Sequence, residues 1–123
     1  MSLEVLVPEY IHDGDTSIVT CMFDADIAQL EWQVSEYDQG SAGAKSLAIY
    51  VPSTSTWTDF TEGRMTGDID GMSSILTIHS VDWQMDDGRY WCSAYSADFA
   101  VRGFADGNIT VSGKFRTCLG LSI

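Results

Sequence analysis

The residues of this chain that could do chemistry are few. There are three cysteines (Cys21, Cys92, Cys118), two histidines (His12, His79) and acidic pairs at D-x-D spacing (Asp13/Asp15, Asp24/Asp26, Asp68/Asp70). No H-E-x-x-H or C-x-x-C motif ties the histidines to further ligands, so each is read as an ordinary strand residue. Serine and threonine are abundant, but no G-x-S-x-G elbow raises one of them as a nucleophile. The D-x-D pairs are oxygen clusters of the kind hard cations favour, yet no complete twelve-residue calcium loop surrounds any of them. They are read as solvated turns. No catalytic residue, metal site or cofactor is therefore expected, and the chain is not read as an enzyme. Two covalent chemistries remain. An odd number of cysteines leaves one over after any pairing, and Asn108-Ile109-Thr110 is an N-glycosylation sequon in a strand-like segment.

The elements available to position these residues follow from length and pattern. The chain has 123 residues, enough for one domain, and is 45% hydrophobic, enough for one packed core. It carries 18 acidic against 6 basic residues, a net charge of −12 with pI near 4.1. Nucleic acid requires a basic face, so that partner is excluded, and anionic membrane surfaces are disfavoured for the same reason. A basic partner is permitted, although net charge speaks first to solubility. No stretch approaches the ~18 apolar residues of a membrane helix, and Met1-Ser2-Leu3-Glu4 has no basic start or apolar run of a secretory leader. Any membrane anchor is expected outside these residues.

Period-2 alternation dominates the chain. Residues 3–12 read as an edge strand broken by Pro8, which needs no ladder N–H at an edge. Thr16 to Phe23 reads as a strand with Val19, Cys21 and Phe23 on one face, and Leu30 to Glu36 as one with Leu30, Trp32 and Val34 together. Strands are also expected at 46–51, as a short edge within 52–60, from 62 onward, at 73–80 with Leu76 and Ile78 inward, at 89–95, and at 104–111 with Ile109 and Val111 inward. Asp68-Ile69-Asp70-Gly71 reads as a turn, Ser96 to Gly103 as a loop, and Lys114 to Ile123 as a tail or linker stub outside a domain of residues 1–113. No helix is expected.

Three motifs then stand in order: Cys21, Trp32, and the run Asp86-Asp87-Gly88-Arg89-Tyr90-Trp91-Cys92, which reads D-x-G-x-Y-x-C. With Phe104-Ala105-Asp106-Gly107 before Ile109 and Val111, residues 4–112 resemble a variable-set immunoglobulin domain. Trp91 beside Cys92 is similar to single-variable-domain immune-type receptors and to V-region-containing chitin-binding proteins. The resemblance implies an all-β, two-sheet V-type sandwich of Greek-key topology. It implies one inter-sheet disulfide, Cys21–Cys92, with Trp32 packed on it. Tyr90 would be a tyrosine corner whose hydroxyl bonds back to the preceding turn, Gly88 would permit that turn, and Arg64 would pair with Asp86 across the base. Alanine at 105 departs from the family's two-glycine pattern and puts its usual bulge in doubt. Cys118 is left for an intermolecular bridge or a free thiol. The Cys21–Cys92 bridge implies an oxidising, extracellular setting.

The resemblance also implies a function. It predicts a ligand-recognition domain of an immune-type receptor, secreted or on the cell surface, that binds a protein ligand. The alternatives are a second V domain, in homophilic adhesion or as a homodimer, and a carbohydrate, suggested by Tyr95 and Trp57. The binding face would be the outer face of the sheet that holds Trp32 and Tyr90. If Tyr90 and Cys92 point inward, Trp91, Ser93 and Tyr95 point out. Glu31, Gln33 and Ser35 would flank them, Tyr50 would join from the next strand with Trp57 beyond it, and the 96–103 loop would bring Phe99 and Arg102 to the rim. Trp91 covered by that loop is the competing arrangement.

Overall fold

The computed structural model describes residues 1–112; the tail expected at 114–123, with Cys118, lies outside the described residues. The chain folds as an all-β immunoglobulin-type sandwich. One sheet has four strands, β1 (Leu3–Leu6), β3 (Ser17–Phe23), β8 (Ser73–Ile78) and β7 (Met65–Asp70), in the order β1-β3-β8-β7. The other has five, β10 (Arg102–Ile109), β9 (Gly88–Ser96), β4 (Ile27–Ser35), β5 (Lys45–Val51) and β6 (Thr56–Asp59), in the order β10-β9-β4-β5-β6. All their pairings are antiparallel. The broken first segment pairs twice, once in the four-stranded sheet and once in a separate two-stranded sheet. Before Pro8, β1 pairs with β3; after it, β2 (Ile11–His12) pairs in parallel with β11 (Val111–Ser112).

The core lies where the alternating apolar residues of the two sheets meet. Val19, Cys21, Leu30, Trp32, Leu76, Ile78, Tyr90, Cys92 and Ile109 are all fully buried. Cys21 and Cys92 are bridged across the sheets, 71 residues apart in sequence, with Cα atoms 6.3 Å apart. On the chain-entropy estimate, closing a loop of that length contributes about 4 kcal/mol. Trp32 stands opposite Cys92 in the β4–β9 register and donates its indole N–H to Ser74 Oγ at 3.0 Å. A buried indole nitrogen without an acceptor would be costly, so Ser74 is what permits the largest core side chain to sit here.

The base of the sandwich is a polar knot. Tyr90 donates its hydroxyl to the Asp86 carbonyl at 2.9 Å. Arg64 Nη2 lies 2.6 Å from Asp86 Oδ2, which also accepts the Asp82 N–H at 2.8 Å. Burial, and then the Asp86 charge, push the Tyr90 phenol far above its ordinary value. Gly88 has a different role from the one its place before β9 suggested. It is not among the glycines with positive φ. A Cβ there would stand 2.7 Å from the Ser35 carbonyl oxygen, so glycine is needed for close approach of two strands rather than for a turn.

Two local expectations are corrected. Asp68 to Asp70 is not a turn but the end of β7; the chain reverses at Gly71 and Met72, with Gly71 at φ +59°. Asp68 and Asp70 therefore lie on a strand. The strand expected at Leu30 to Glu36 starts earlier, since β4 begins at Ile27. The doubt that Ala105 cast on a bulge is upheld: β10 pairs with β9 in unbroken register from Arg102↔Tyr95 to Ile109↔Gly88. Its inner positions are small because β1 packs onto them. Cβ atoms added at Gly103 and Gly107 would lie 2.6 Å from Leu3 Cδ1 and 2.8 Å from Val7 Cγ1.

Candidate functional site

The site is built on the alternation of β9. Tyr90, Cys92 and Ala94 are buried inward, so Trp91, Ser93 and Tyr95 face outward. Register supplies their neighbours. Trp91 lies between Gln33 and Asp106, Ser93 between Glu31 and Phe104, and Tyr95 between Gln29 and Arg102. The outer face thus gathers the β4 and β9 residues that strand parity had placed there, beside Arg102, Phe104 and Asp106 of β10. Ser93 is only 3% exposed and forms the floor rather than a contact.

The lower half of this face is satisfied internally. Trp91 is half-buried and donates its indole N–H to Ser35 Oγ at 2.9 Å. The Arg89 guanidinium carbon lies 4.3 Å from its ring centroid. Arg89 is itself held by Asp106 Oδ2 at 2.7 Å and by the Gln39 carbonyl at 3.1 Å. The 96–103 loop is not what covers Trp91; Arg89 is. Asn108 is exposed on the same strand face, directly opposite Arg89, so the sequon projects beside this cluster.

The upper half is open. Phe99 is 60% exposed and Phe104 46%. The Tyr95 and Phe99 ring centroids are 5.8 Å apart, and the Arg102 guanidinium carbon lies 5.1 Å from the Tyr95 centroid and 4.5 Å from that of Phe104. These are cation–π distances. The loop at 97–101 is organised to hold this arrangement. Ser96 Oγ donates to Asp98 Oδ1 at 2.6 Å and accepts the Val101 N–H at 3.0 Å, while Asp98 Oδ1 also accepts the Ala100 N–H at 3.0 Å. The Ser96 hydroxyl, then the Ala100 N–H, hold the Asp98 carboxyl below the ordinary carboxylate value. Phe99 pays for the fit: its φ is +61°, a left-handed conformation rare for a bulky residue and costing about 1–3 kcal/mol. Strain of that kind survives only where the surrounding hydrogen bonds over-determine it.

Two residues expected on this face are elsewhere. Tyr50 stands opposite buried Leu30 and so faces the sandwich interior; it packs against the core and against Trp57, with ring centroids 4.9 Å apart. The physical reason is a bulge. Trp32 pairs with Ala48 while Gln33 pairs with Ser46, leaving Leu47 as an extra residue that inverts the parity of everything after it. Trp57 follows Tyr50 inward, and its ring occupies the space over Gly67, where a Cβ would lie 2.5 Å away. Three residues of the face were not singled out from sequence: Phe104, Arg89 and Asp106. A signal for Phe104 and Asp106 was present, since alternation back from inward Ile109 places 108, 106, 104 and 102 outward. Arg89 carried no signal of its own, because stacking on a neighbour two residues away depends on rotamer.

Among the described residues, no group of three or more His, Cys, Asp or Glu side chains is placed to hold a metal ion, and no helix is long and apolar enough to cross a membrane. Asp13 braces the β8–β9 connection by accepting the Trp83 N–H at 2.9 Å. No protein-family model matches the chain, and no curated protein matches it.

Proposed function

We propose that this chain is a variable-set immunoglobulin domain of an immune-type receptor, extracellular, binding a protein ligand through the outer face of β9 and β10 and the loop that joins them. The observation that carries this reading is the upper patch. A strained Phe99, fixed by five loop hydrogen bonds and packed at a tilt against Tyr95, stands beside exposed Phe104 and Arg102. Tyrosine and arginine are enriched at binding hot spots, and rigid aromatics give contact area at low entropic cost. The disulfide supports an oxidising compartment. No catalytic role is proposed for the face.

The test is a multivalent form of the domain screened against arrays of cell-surface proteins and of glycans, beside a Phe99→Gly variant. Glycine relieves the positive φ, so the variant should fold as well as the parent while losing the ring. Protein binding by the parent that falls sharply in Phe99→Gly supports the reading. Signal confined to glycans would move the partner to carbohydrate, and concentration-dependent dimers in ultracentrifugation would move it to a second copy. Equal binding by parent and variant would overturn the assignment of the face.

A further inference from the structure

The described residues include four lysines and arginines: Lys45, Arg64, Arg89 and Arg102. Two are satisfied by acids, Arg64 by Asp86 and Arg89 by Asp106. Arg102 is exposed, bridges no carboxylate and donates no hydrogen bond among the described residues, although the chain carries 18 acids. Its contacts are with rings, Tyr95 and Phe104. Asp98, in the adjacent loop, is spent inside the loop on Ser96 and Ala100.

We propose that Arg102 is the anchor for a carboxylate on the partner, an acidic side chain or chain terminus set beside an apolar group that packs on Phe104 and Phe99. This rests on the recognition reading above and adds the chemistry of the ligand to it. Guanidinium is planar, presents its N–H donors as a fixed fork, and stacks on aromatic faces. Stacking on Tyr95 and Phe104 restrains the plane of Arg102 and takes no N–H donor, so the fork is prepared for the bidentate geometry a carboxylate offers. The exposed rings of Phe104 and Phe99, with Val101 at 48% exposure, form the apolar wall beside it. A singly charged carboxylate suits the site better than a phosphate. The domain's net charge is −12, and Asp98, held ionised, stands in the next loop, so each added negative charge meets repulsion.

The experiment is an NMR titration of the domain with three probes: N-acetylphenylalanine, its neutral amide, and phenyl phosphate. The reporters are the Phe104 and Tyr95 ring protons and the Arg102 Nε–H. The acid should bind up to about fivefold more tightly than the amide, the upper end for an ion pair at an exposed site. Arg102→Gln should remove that preference at an unchanged melting temperature, and Arg102→Lys should keep only part of it. Equal binding of acid and amide, an acid preference that survives Arg102→Gln, or tighter binding of phenyl phosphate would each overturn the proposal. The protein-array partner separates this from the reading it rests on. If Phe99→Gly loses that partner while Arg102→Gln keeps it, the face stands and the carboxylate falls.

Discussion

Arg64→Ala tests the polar knot at the base of the sandwich. The Asp86 side chain is 1% exposed; its Oδ2 takes the Arg64 guanidinium and the Asp82 N–H, and its Oδ1 has no hydrogen-bond partner among the described residues. Deleting the guanidinium leaves a buried carboxylate facing one backbone donor. Breaking one side of a fully buried pair costs about 3–5 kcal/mol, whereas an exposed pair contributes under about 1. The Arg64 side chain is 31% exposed, so water refills part of its place and the expected loss lies between those limits, about 2 kcal/mol. For a domain of this size that lowers Tm by roughly 8 °C. The assay is thermal and urea denaturation by tryptophan fluorescence on Arg64→Ala, Asp86→Asn and the double variant. The cycle should show a coupling of about 1–2 kcal/mol, because asparagine no longer needs the cation. A Tm loss within about 2 °C, or strictly additive single effects, would refute the argument that this carboxylate depends on Arg64.

Trp91→Ala is expected to destabilise the fold by about 2 kcal/mol, roughly half the cost of emptying a fully buried site, because it removes the ring under Arg89 and the donor to Ser35; unchanged stability in urea would show that the cluster is loose. Gly67→Ala should push Trp57 out of its packing against β7, costing about 1–3 kcal/mol and red-shifting tryptophan emission, and an unshifted spectrum with unchanged Tm would show that the ring has free room. The Thr61 hydroxyl, the Thr61 N–H and the Gly63 N–H hold the Asp59 carboxyl below its ordinary value of 3.8. Since the folded pKa is the lower one, this small contribution to stability is present above about pH 4 and fades as pH falls through the lowered value. NMR titration should place Asp59 below about 3.9, and Thr61→Ala should raise it; a titration that ignores Thr61 would count against the hydrogen bonds.

Much of the fold was legible because the strands obey a period of two around a few fixed points. Cys21 on one sheet and Trp32 and Cys92 on the other point into one core, and alternation from them places Val19, Leu30 and Tyr90 inward and Trp91, Ser93 and Tyr95 outward. The site was legible only as far as that parity ran unbroken. One extra residue at Leu47 sends Tyr50 to the other side, and nothing in the local sequence marks the bulge. Trp57 looks like a surface aromatic until the glycine it covers is known, and that glycine lies on a different sheet. The shielding of Trp91 by Arg89 and the strain at Phe99 are matters of rotamer and of φ, which residue order does not encode. Gly88 misled for a related reason: a glycine before a strand suggests a turn, whereas the need here is set by the Ser35 carbonyl on the next strand.

The two faces of β10 differ in what they can tolerate. Gly103, Ala105 and Gly107 point toward β1, and at the two glycines there is no room for even one more carbon beside Leu3 and Val7. Arg102, Phe104, Asp106 and Asn108 point to solvent. Substitutions along this strand therefore separate by odd and even position. Changes at 103, 105 and 107 disturb the seam between β1 and β10, and a change at 106 releases Arg89 from its place over Trp91, while those at 102, 104 and 108 alter the outer surface and leave the scaffold intact. A mutational library with its diversity at 102, 104 and 108 would explore new partners at little cost in folded yield.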